Sequence, residues 1–407
     1  MMSTAPELRL PLPHRRAGLA TALALLVALG ACSERSLLPP DASVGPQPSL
    51  PAPVKTLLPT VNIARAEGWP EGKMPAPAAG LQVGAFANGL QHPRWLLVLP
   101  GGDVLVAETN APPRPEEGKG VRDWVMGQLM KRAGSGSPSA NRITLLRDAD
   151  GDGRAEVRQV FAEGLNSPFG MVLVGDRLYV ANTDAVLEFA YTPGQTALAA
   201  PLRTVTTLPA GPRNHHWTKA LIASPDGTRL YATVGSNSNV AENGLAEEEG
   251  RAAIWEIDRA SGQKRLFANG LRNPNGMAWV GAGAAGTPVL WTVVNERDEL
   301  GSDLVPDYLT SVRDGGFYGW PWSWYGRHVD ERVQPPRPEM VARATVPDYA
   351  LGTHVAPLGL VWADAGLLPQ RLMAANQRGM FVGLHGSWNR RPAAGYKVVF
   401  VPFTDDR

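Results

Sequence analysis

Four clusters of polar residues could carry chemistry, and each lies in a turn or at the end of a predicted strand. The first contains Asn214, His215 and His216, shortly before an apolar strand that begins at Leu221. A histidine that titrates near neutral pH can take the proton of a substrate hydroxyl group while hydride leaves the adjacent carbon. The same residues would also fit a surface turn or a packed histidine pair, so composition leaves both interpretations open.

The second cluster contains Arg272 and Asn273, within the glycine-bounded turn 270–276. A guanidinium group pairs bidentately with carboxylates and stacks on flat π surfaces. The Arg-Asn pair therefore fits an anionic, carboxylated ring system. Taken alone, the Arg-Asn-Pro sequence is also an ordinary turn.

The third cluster is the acidic loop 295–303, which contains Asp298 and Glu299 and is followed by the glycine-rich segment 315–321. Many oxygen ligands in a tight loop suit a hard cation such as calcium, through side chains or backbone carbonyls. A solvated acidic loop is the alternative interpretation.

The fourth cluster contains His385, Trp388 and Arg390 and follows the strand 380–382. Tryptophan and arginine together form a stacking platform for a flat cofactor or a sugar. The position after a strand places the cluster at a strand end rather than in the core.

A fifth segment, 148–153, matches the opening of a calcium loop, but Gln159 stands where such a loop has a bidentate glutamate. The sequence favours an Asp-Gly hairpin here over a structural ion site.

The elements that must position these clusters are short strands in a repeated unit. Each unit has a turn, an alternating apolar strand, a Gly or Asp-Gly turn and a second strand, and the copies begin at Gly89, Gly164, Ala220, Gly270 and Ala356. A period of about fifty residues, once insertions are removed, is typical of propeller blades. The sequence therefore predicts an all-β fold, a β-propeller, over residues 78–407.

Two insertions, 110–141 and 300–349, interrupt the period, and long loops on a rigid scaffold usually serve a site. Five blades are evident, whereas a propeller closes by pairing its last blade with its first. We therefore expect a six-bladed type of propeller whose final blade is missing or truncated.

The N-terminal residues predict export. Arg15 and Arg16 precede the uncharged apolar run 17–31, which is too short to span a bilayer. The run ends in a sequence that resembles the bacterial lipobox, so residues 1–31 are expected to be a signal peptide and Cys32, the only cysteine, a lipidation site. An ordinary signal peptide with an incidental cysteine is the alternative.

Ser33 follows Cys32, and by analogy with bacterial lipoproteins the absence of aspartate there favours the periplasmic side of the outer membrane. Residues 32–77 are rich in proline, alanine and serine and predict a disordered tether. The membrane is thus a partner only through the lipid. A formal net charge of +1 gives no reason to expect nucleic acid as a partner.

From about Gly80 onward, the four clusters in this order resemble the soluble aldose-sugar dehydrogenase and sorbosone dehydrogenase family. That resemblance implies a six-bladed propeller that binds pyrroloquinoline quinone (PQQ) and calcium over its central channel. It also implies oxidation of a sugar, or of a sugar-derived aldehyde or alcohol, by hydride transfer to the quinone, with electrons passing to a periplasmic acceptor.

By the same resemblance, His216 is the general base, and Arg272 and Asn273 contact the quinone and the substrate. Arg272 would also polarise a quinone carbonyl, which gives it a catalytic role. Family members carry a further blade with an arginine-containing turn at the cofactor, and no segment after Arg407 supplies one.

The resemblance also places backbone carbonyls of Asp298 and Glu299 around calcium. It assigns cofactor binding to His385, with Arg390 nearby, and to Arg94, which follows the proline of the first copy.

Two other functions compete. A calcium-dependent lactone hydrolase would need carboxylates or amides converging on the metal from different blades, whereas the acidic residues here crowd into one loop. A non-catalytic propeller on a surface lipoprotein would bind its partner without needing His216 and Arg272 together.

Overall fold

Short β-strands make up almost all the regular structure of the residues that the structure describes. The structure is a computed structural model and describes residues 34–54, 60–113, 127–128, 134, 137–281, 287–363 and 377–404. A strand of two residues, β1 (Val44–Gly45), precedes five antiparallel sheets that follow one another along the chain.

Each of the first three sheets contains four antiparallel strands in sequence order, and a short parallel strand from the second insertion joins the edge of the third sheet. The first consists of β2 (Pro93–Val98), β3 (Val104–Glu108), β4 (Arg142–Arg147) and β5 (Val157–Ala162). The second consists of β6 (Met171–Val174), β7 (Arg177–Ala181), β8 (Ala185–Ala190) and β9 (Arg203–Thr207). The third consists of β10 (Leu221–Ala223), β11 (Arg229–Val234), β12 (Ala253–Asp258) and β13 (Lys264–Asn269).

The last two sheets contain the second insertion and the end of the described chain. The fourth sheet consists of β14 (Asn273–Val280), β15 (Val289–Asn295), β16 (Pro306–Val312) and β20 (Tyr349–Thr353). The insertion adds β17 (Gly316–Phe317), β18 (Ser323–Trp324), β19 (His328–Val329) and a short helix (Pro338–Arg343). The fifth sheet consists of β21 (Pro357–Ala363), β22 (Arg378–Leu384) and β23 (Lys397–Phe403).

The five sheets are the blades of a β-propeller, because the innermost strands β2, β6, β10, β14 and β21 lie side by side in that order. Apolar side chains fill the seams between blades. Leu105 and Leu145 of the first blade, for example, pack in one buried cluster with Leu178 of the second. The predicted all-β propeller is confirmed, and the described residues form five blades.

Close packing at one seam requires glycine. A Cβ on Gly170, which leads into the second blade, would collide with the backbone from Lys219 to Leu221, where the third blade begins. The backbone N–H of Gly170 donates to the carbonyl of Lys219 at 2.9 Å. The two blades therefore meet backbone to backbone at this point.

Strand direction decides which loops meet. Because neighbouring strands in a blade are antiparallel, the loop after the second strand and the loop that leaves the fourth strand lie at the same end of the blade. We call this end of the propeller the mouth. All four chemical clusters of the sequence fall on mouth loops.

The segment before the propeller differs from the expected disordered tether. In β1, Val44 pairs with Leu351, so this strand extends the fourth blade. The Glu34 carboxylate accepts hydrogen bonds from the backbone N–H and the hydroxyl of Ser302, at 2.9 and 2.7 Å. We call residues 34–54 the N-terminal strap. The compositional argument missed it because proline favours extended backbone, and extended backbone can also pair and pack.

The Asp303 carboxylate fixes the same strap. It accepts the hydroxyl of Ser36 at 2.5 Å and the N–H groups of Leu37 and Leu38 at 2.7 and 3.2 Å. The predicted signal peptide 1–31 and Cys32 lie outside the described residues. Within the described ranges, no helix is long and apolar enough to cross a membrane.

Candidate active site at the propeller mouth

Buried amide groups without partners surround the mouth. In the described part of the chain, buried side-chain oxygens of five mouth asparagines accept no hydrogen bond: Asn182, Asn237, Asn273, Asn295 and Asn389. Asn237 also leaves its amide nitrogen unpaired. Buried polar atoms of this kind are normally satisfied, so their concentration at one place indicates a ligand site.

His216 lies at this mouth, half buried, on the loop that leads into the third blade. Its Nδ1 lies 2.8 Å from the carbonyl oxygen and 3.0 Å from the hydroxyl of Ser236. Burial, followed by the positive charge of Arg272 and by His215, lowers the pKa of His216 well below its ordinary value. The imidazole is therefore neutral near pH 7, as a general base must be.

Asn273 stands beside His216, and Gly235 makes this approach possible. A Cβ on Gly235 would collide with the amide oxygen of Asn273 and with Cβ of His216. The first residue of β14 and the loop before β10 therefore meet across the end of β11. Two residues that the sequence proposed for one site are adjacent in the structure.

Arg272 is 3% exposed and is held entirely by the protein. Its Nε donates to the carbonyl of Asn239 and its Nη1 to the carbonyls of Asn295 and Glu296. Nη2 donates to the Asn239 side chain at 3.0 Å and to the Asp298 carboxylate at 2.8 Å. A guanidinium group has five N–H donors, and these contacts use all of them. Arg272 thus positions the mouth loops, and no donor is left for a bound carboxylate in this arrangement.

Asp298 does not have the environment of a calcium ligand. One carboxylate oxygen pairs with Arg272, and the other accepts from Asn389 at 2.8 Å and lies 3.5 Å from Nδ1 of His354. Its backbone carbonyl already accepts from Arg297 at 2.6 Å and from Asn239 at 3.2 Å. Burial alone would raise the pKa of Asp298, but Arg272 and His354 outweigh burial and lower the pKa below its ordinary value. The group is therefore a carboxylate whose oxygens are satisfied by protein donors.

Glu299 pairs with Arg332 at 2.8 Å. With Arg272 and Arg297 beside Asp298 as well, three guanidinium groups surround the loop that was predicted to bind calcium. Each guanidinium group is paired with a carboxylate, so the acidic side chains of this loop are already neutralised within the protein. The predicted pair Asp298 and Glu299 therefore does not fit calcium.

Sequence reasoning missed the buried cluster behind this loop. His354 donates a hydrogen bond to the Gly301 carbonyl at 3.0 Å. Burial alone would lower the pKa of His354, but the Asp298 carboxylate outweighs burial and raises it. Asp307 accepts the backbone N–H groups of Glu296 and Ala356, both at 2.8 Å. Burial raises the pKa of Asp307 to about 7. The only sequence signal for this cluster is His354, a single histidine directly after β20. A single histidine does not indicate that Asp298 and Asp307 lie beside it.

Arg94 and His385 meet at the mouth from the first and fifth blades. The guanidinium carbon of Arg94 lies 5.6 Å from the centre of the Trp217 ring, within range of a cation–π contact. Its Nε is buried and unpaired, and among the described residues it forms no ion pair. Partial burial, followed by the charge of Arg94, lowers the pKa of His385. These two predicted residues are brought together.

Arg390 is not part of this group. Its Nη2 donates to the hydroxyl of Ser36 at 2.9 Å and its Nη1 to the carbonyl of Pro392 at 2.8 Å. Arg390 therefore holds the N-terminal strap through its terminal nitrogens, while its Nε is buried and unpaired, and the cofactor contact implied by the resemblance stays a prediction.

A buried lysine was also missed. Lys219 has no exposed surface, and its ammonium group donates to the Trp217 carbonyl at 3.1 Å. The hydroxyl of Thr183 donates to the same carbonyl at 2.9 Å. Burial, with Arg251 nearby, lowers the pKa of Lys219 to about 7. Lys219 thus helps to fix the loop that carries His216 and Trp217.

The acidic turn of the first blade lies at the other end of the propeller, between β4 and β5. In the part of the chain that the structure covers, Asp148, Asp150, Asp152 and Glu156 form the one acidic group compact enough to hold a metal. Its carboxylates bond backbone N–H groups of the turn itself, such as Gly151 to Asp148 at 2.7 Å. It is thus remote from the mouth.

The family model described as TrAA12-like matches residues 133–307 and 339–407, and the chain belongs to this family. The resemblance inferred from the motifs is thereby confirmed. A PQQ-dependent pyranose dehydrogenase of Coprinopsis cinerea is 24% identical over 371 residues, which cover 80% of this chain and 44% of that protein. The chain thus spans less than half the length of this relative.

Solved structures show the same fold at low identity. The holo form of the pyranose dehydrogenase PQQ domain from Coprinopsis cinerea has a TM-score of 0.61 and 22% identity, covering 83% of this chain and 82% of its own. A calcium structure of a family AA12 enzyme from Trichoderma reesei has a TM-score of 0.59 and 17% identity, with coverage of 86% and 84%. These similarities establish the propeller fold.

The mouth residues fit PQQ, a flat quinone with three carboxylate groups. Arg94 offers a cation that no described acidic residue neutralises, and Asn237 offers an amide with neither atom paired. Trp217 supplies an aromatic face beside Arg94. The donors fit the quinone, whereas the predicted calcium ligands do not fit calcium.

Proposed function

We propose that this chain is a PQQ-dependent dehydrogenase that oxidises a sugar or a sugar-derived aldehyde or alcohol. The observation that carries the proposal is the orientation of His216, whose Nδ1 faces Ser236 while its Nε2 forms no hydrogen bond among the described residues. A neutral imidazole with a free nitrogen, next to an unsatisfied amide at Asn273, suits a site that removes a hydroxyl proton.

The residues of the chain would divide the work as follows. Arg94 and Asn237 bind and orient the carboxylate groups of the cofactor, and Trp217 limits the approach of water on one side. When bound, PQQ supplies the acceptor for the two electrons that leave the substrate carbon. Nε2 of His216 takes the hydroxyl proton, and the amide of Asn273 orients the substrate oxygen. Arg272 keeps these loops in place.

The proposal extends to the cell envelope. The lipobox-like sequence that ends at Cys32 supports export and a lipid anchor on the periplasmic side, with an acceptor there to reoxidise the quinone. Globomycin treatment of expressing cells tests this part. Accumulation of a precursor that carries the lipid on Cys32 but retains its signal peptide is expected, and normal processing in the presence of the inhibitor would contradict it.

Dye-linked oxidation by the purified full chain tests the activity. A panel of aldoses and sorbosone-like aldehydes would be assayed with and without PQQ, and with calcium added or chelated. We expect activity that requires PQQ, is lost at least a thousandfold in His216→Ala and persists in His328→Ala, which alters an exposed histidine on β19.

Two outcomes would count against the proposal. Full activity in His216→Ala would remove the base, and failure to bind PQQ at micromolar concentration would leave a propeller that serves as a binding module. Calcium dependence that survives substitution of Asp298 would agree with the poor fit of that residue to the ion.

A further inference from the structure

The hydrogen bonds around Nδ1 of His216 define which ring nitrogen carries the proton. Nδ1 lies 2.8 Å from the Ser236 carbonyl oxygen and 3.0 Å from the Ser236 hydroxyl oxygen. A carbonyl can only accept. The hydroxyl has a single proton, which it donates to the carbonyl of Ser238 at 2.7 Å. Both oxygens therefore act as acceptors toward Nδ1, so Nδ1 carries the hydrogen and Nε2 the lone pair.

This orientation depends on the turn 236–238, and Glu248 holds that turn. One carboxylate oxygen of Glu248 accepts the hydroxyl of Ser238 and the other accepts the backbone N–H of Asn237, both at 2.6 Å. Glu248 ends a short 3₁₀ helix, Leu245–Glu248, between β11 and β12. The carboxylate of Glu248 thus accepts hydrogen bonds from two successive residues of the turn that faces His216.

Glu248 is buried, so its carboxylate depends on the hydrogen bonds to the turn 236–238. The residue is 8% exposed, and in the described part of the chain it forms no salt bridge. An isolated buried carboxylate is unfavourable unless strong hydrogen bonds satisfy it. The hydrogen bonds that satisfy Glu248 are those to the turn 236–238, so burial of the charge and the geometry of the turn depend on each other.

We propose that Glu248, through Ser238 and Ser236, is a positioning residue that fixes His216 as the Nδ1–H tautomer and leaves Nε2 as the base. The catalytic meaning of this arrangement rests on the proposed function. The tautomer itself does not, because it belongs to the protein alone.

Nitrogen NMR of the full chain, labelled with ¹⁵N-histidine and free of quinone, tests the proposal directly. Couplings from ring carbon-bound protons distinguish a protonated from an unprotonated ring nitrogen. The chain has 7 histidines, and the spectrum of His216→Asn identifies the signals of His216 by their loss. We expect a single Nδ1–H form in the unmodified protein at neutral pH.

Three variants then separate positioning from general stability. Glu248→Gln and Ser238→Ala are expected to shift the ratio of tautomers toward Nε2–H by about fivefold or more, since each removes a hydrogen bond that holds the turn. Glu249→Gln changes an exposed neighbour of the same charge and should leave the ratio unchanged. If Glu248→Gln does not fold, Ser238→Ala still reports on the same link.

The results would have distinct meanings. An Nε2–H tautomer in the unmodified protein, or an unchanged ratio in both folded variants, would overturn the proposal. The expected shift in a protein that shows no quinone-dependent activity would uphold the positioning role while the proposed dehydrogenase failed. In an active protein, the same variants should lower kcat about tenfold with little change in KM, because they alter the base and leave substrate contacts in place.

Discussion

His216 is neutral near pH 7, and its surroundings set the pH range in which it stays neutral. Burial is the largest cause of its lowered pKa, followed by Arg272 and His215. A histidine whose pKa is lowered loses its proton at a more acidic pH than usual. The neutral form therefore persists as the pH falls through 6.5, and the proton is gained only below that value.

We expect kcat/KM for the sugar to stay constant from pH 8 to below 6.5 and to fall only in more acidic solution. A pH profile with saturating quinone measures this, and NMR titration of His216 in the free protein gives the same pKa without turnover. A profile that falls with a midpoint of 6.5 or above would show that the site is more open to water than the structure indicates.

The lowered pKa of Lys219 predicts how the stability of the fold, rather than its activity, depends on pH. Its pKa is lowered from 10.5 to about 7 in the folded protein, so between these values the unfolded chain binds more protons than the folded chain. The free energy of unfolding should then rise with pH over this window, by up to about 1.4 kcal/mol per pH unit from this group.

Urea unfolding of the unmodified protein and of Lys219→Met at pH 7 and pH 9 measures that contribution. The variant should lose the rise. Lys397→Met, at an exposed lysine of β23, is the matched control and should keep the rise. Equal pH dependence in Lys219→Met and the unmodified protein would contradict the buried, neutral amine.

The repeat fixes the position of several residues that the sequence proposed for the site. His216, Asn273, Arg94 and His385 each stand at a fixed place relative to a blade's first or second strand, so the propeller itself carries them to the mouth. Arg272 was expected to contact the quinone, whereas in the structure its donors are taken by protein groups such as Asn239, which is on a loop that no pattern describes. Non-repeating loops decide such pairings.

At the scale of loops and strands, Gly235 controls the distance between two parts of the site. Gly235→Ala should push Asn273 and His216 apart, because the new Cβ would overlap both side chains. Small displacements of reacting groups can lower rates by about a hundredfold. We therefore expect a fall in kcat/KM of tenfold or more.

Steady-state kinetics of Gly235→Ala checks this, with Gly359→Ala as the control. Gly359 lies in β21, and a Cβ there would meet no atom within 4 Å. Unchanged kinetics in Gly235→Ala would mean that the two loops can adjust without disturbing the base.

The N-terminal strap is a second element whose contribution can be measured. Asp303→Ala removes acceptors from Ser36, Leu37 and Leu38, so it should reduce the free energy of unfolding by about 1 to 3 kcal/mol. Limited proteolysis should then cut within residues 34–54. Asp176→Ala, at an exposed aspartate on a hairpin of the second blade, should do neither. A strap that stays protected in Asp303→Ala would be held mainly by β1.

The blades could be predicted from the sequence, whereas the short added strands β1 and β17 could not. A blade needs strands of alternating apolar residues that recur, and such repetition is visible in any one sequence. The strands β1 and β17 have two residues each and hydrogen-bond to an existing edge through their backbone. Pairing through backbone groups requires no particular side chains, so the amino-acid composition of residues 32–77 suggested only a disordered tether.

At the scale of the whole molecule, the mouth draws its groups from all five blades, so a bound cofactor would link them. Ligand present at a hundred times its Kd stabilises a folded protein by about 2.7 kcal/mol. We expect PQQ to raise the melting temperature of the unmodified protein, and Arg94→Gln to abolish most of this rise. Arg343→Gln, on the exposed helix Pro338–Arg343, should retain it.

Calorimetry with increasing PQQ concentration makes this measurement. A rise of equal size in Arg94→Gln would show that the quinone binds elsewhere or without that cation. The result is independent of turnover, so it also separates weak binding from a defective base.

The short strands β1 and β17 have one more consequence. Each lies along the outermost strand of a blade, β1 beside β20 and β17 parallel to β13. An uncovered outer strand offers free backbone groups to other chains and so favours aggregation. Two of the five blades thus have protected rims, and loss of either strand should make concentrated protein precipitate before it unfolds.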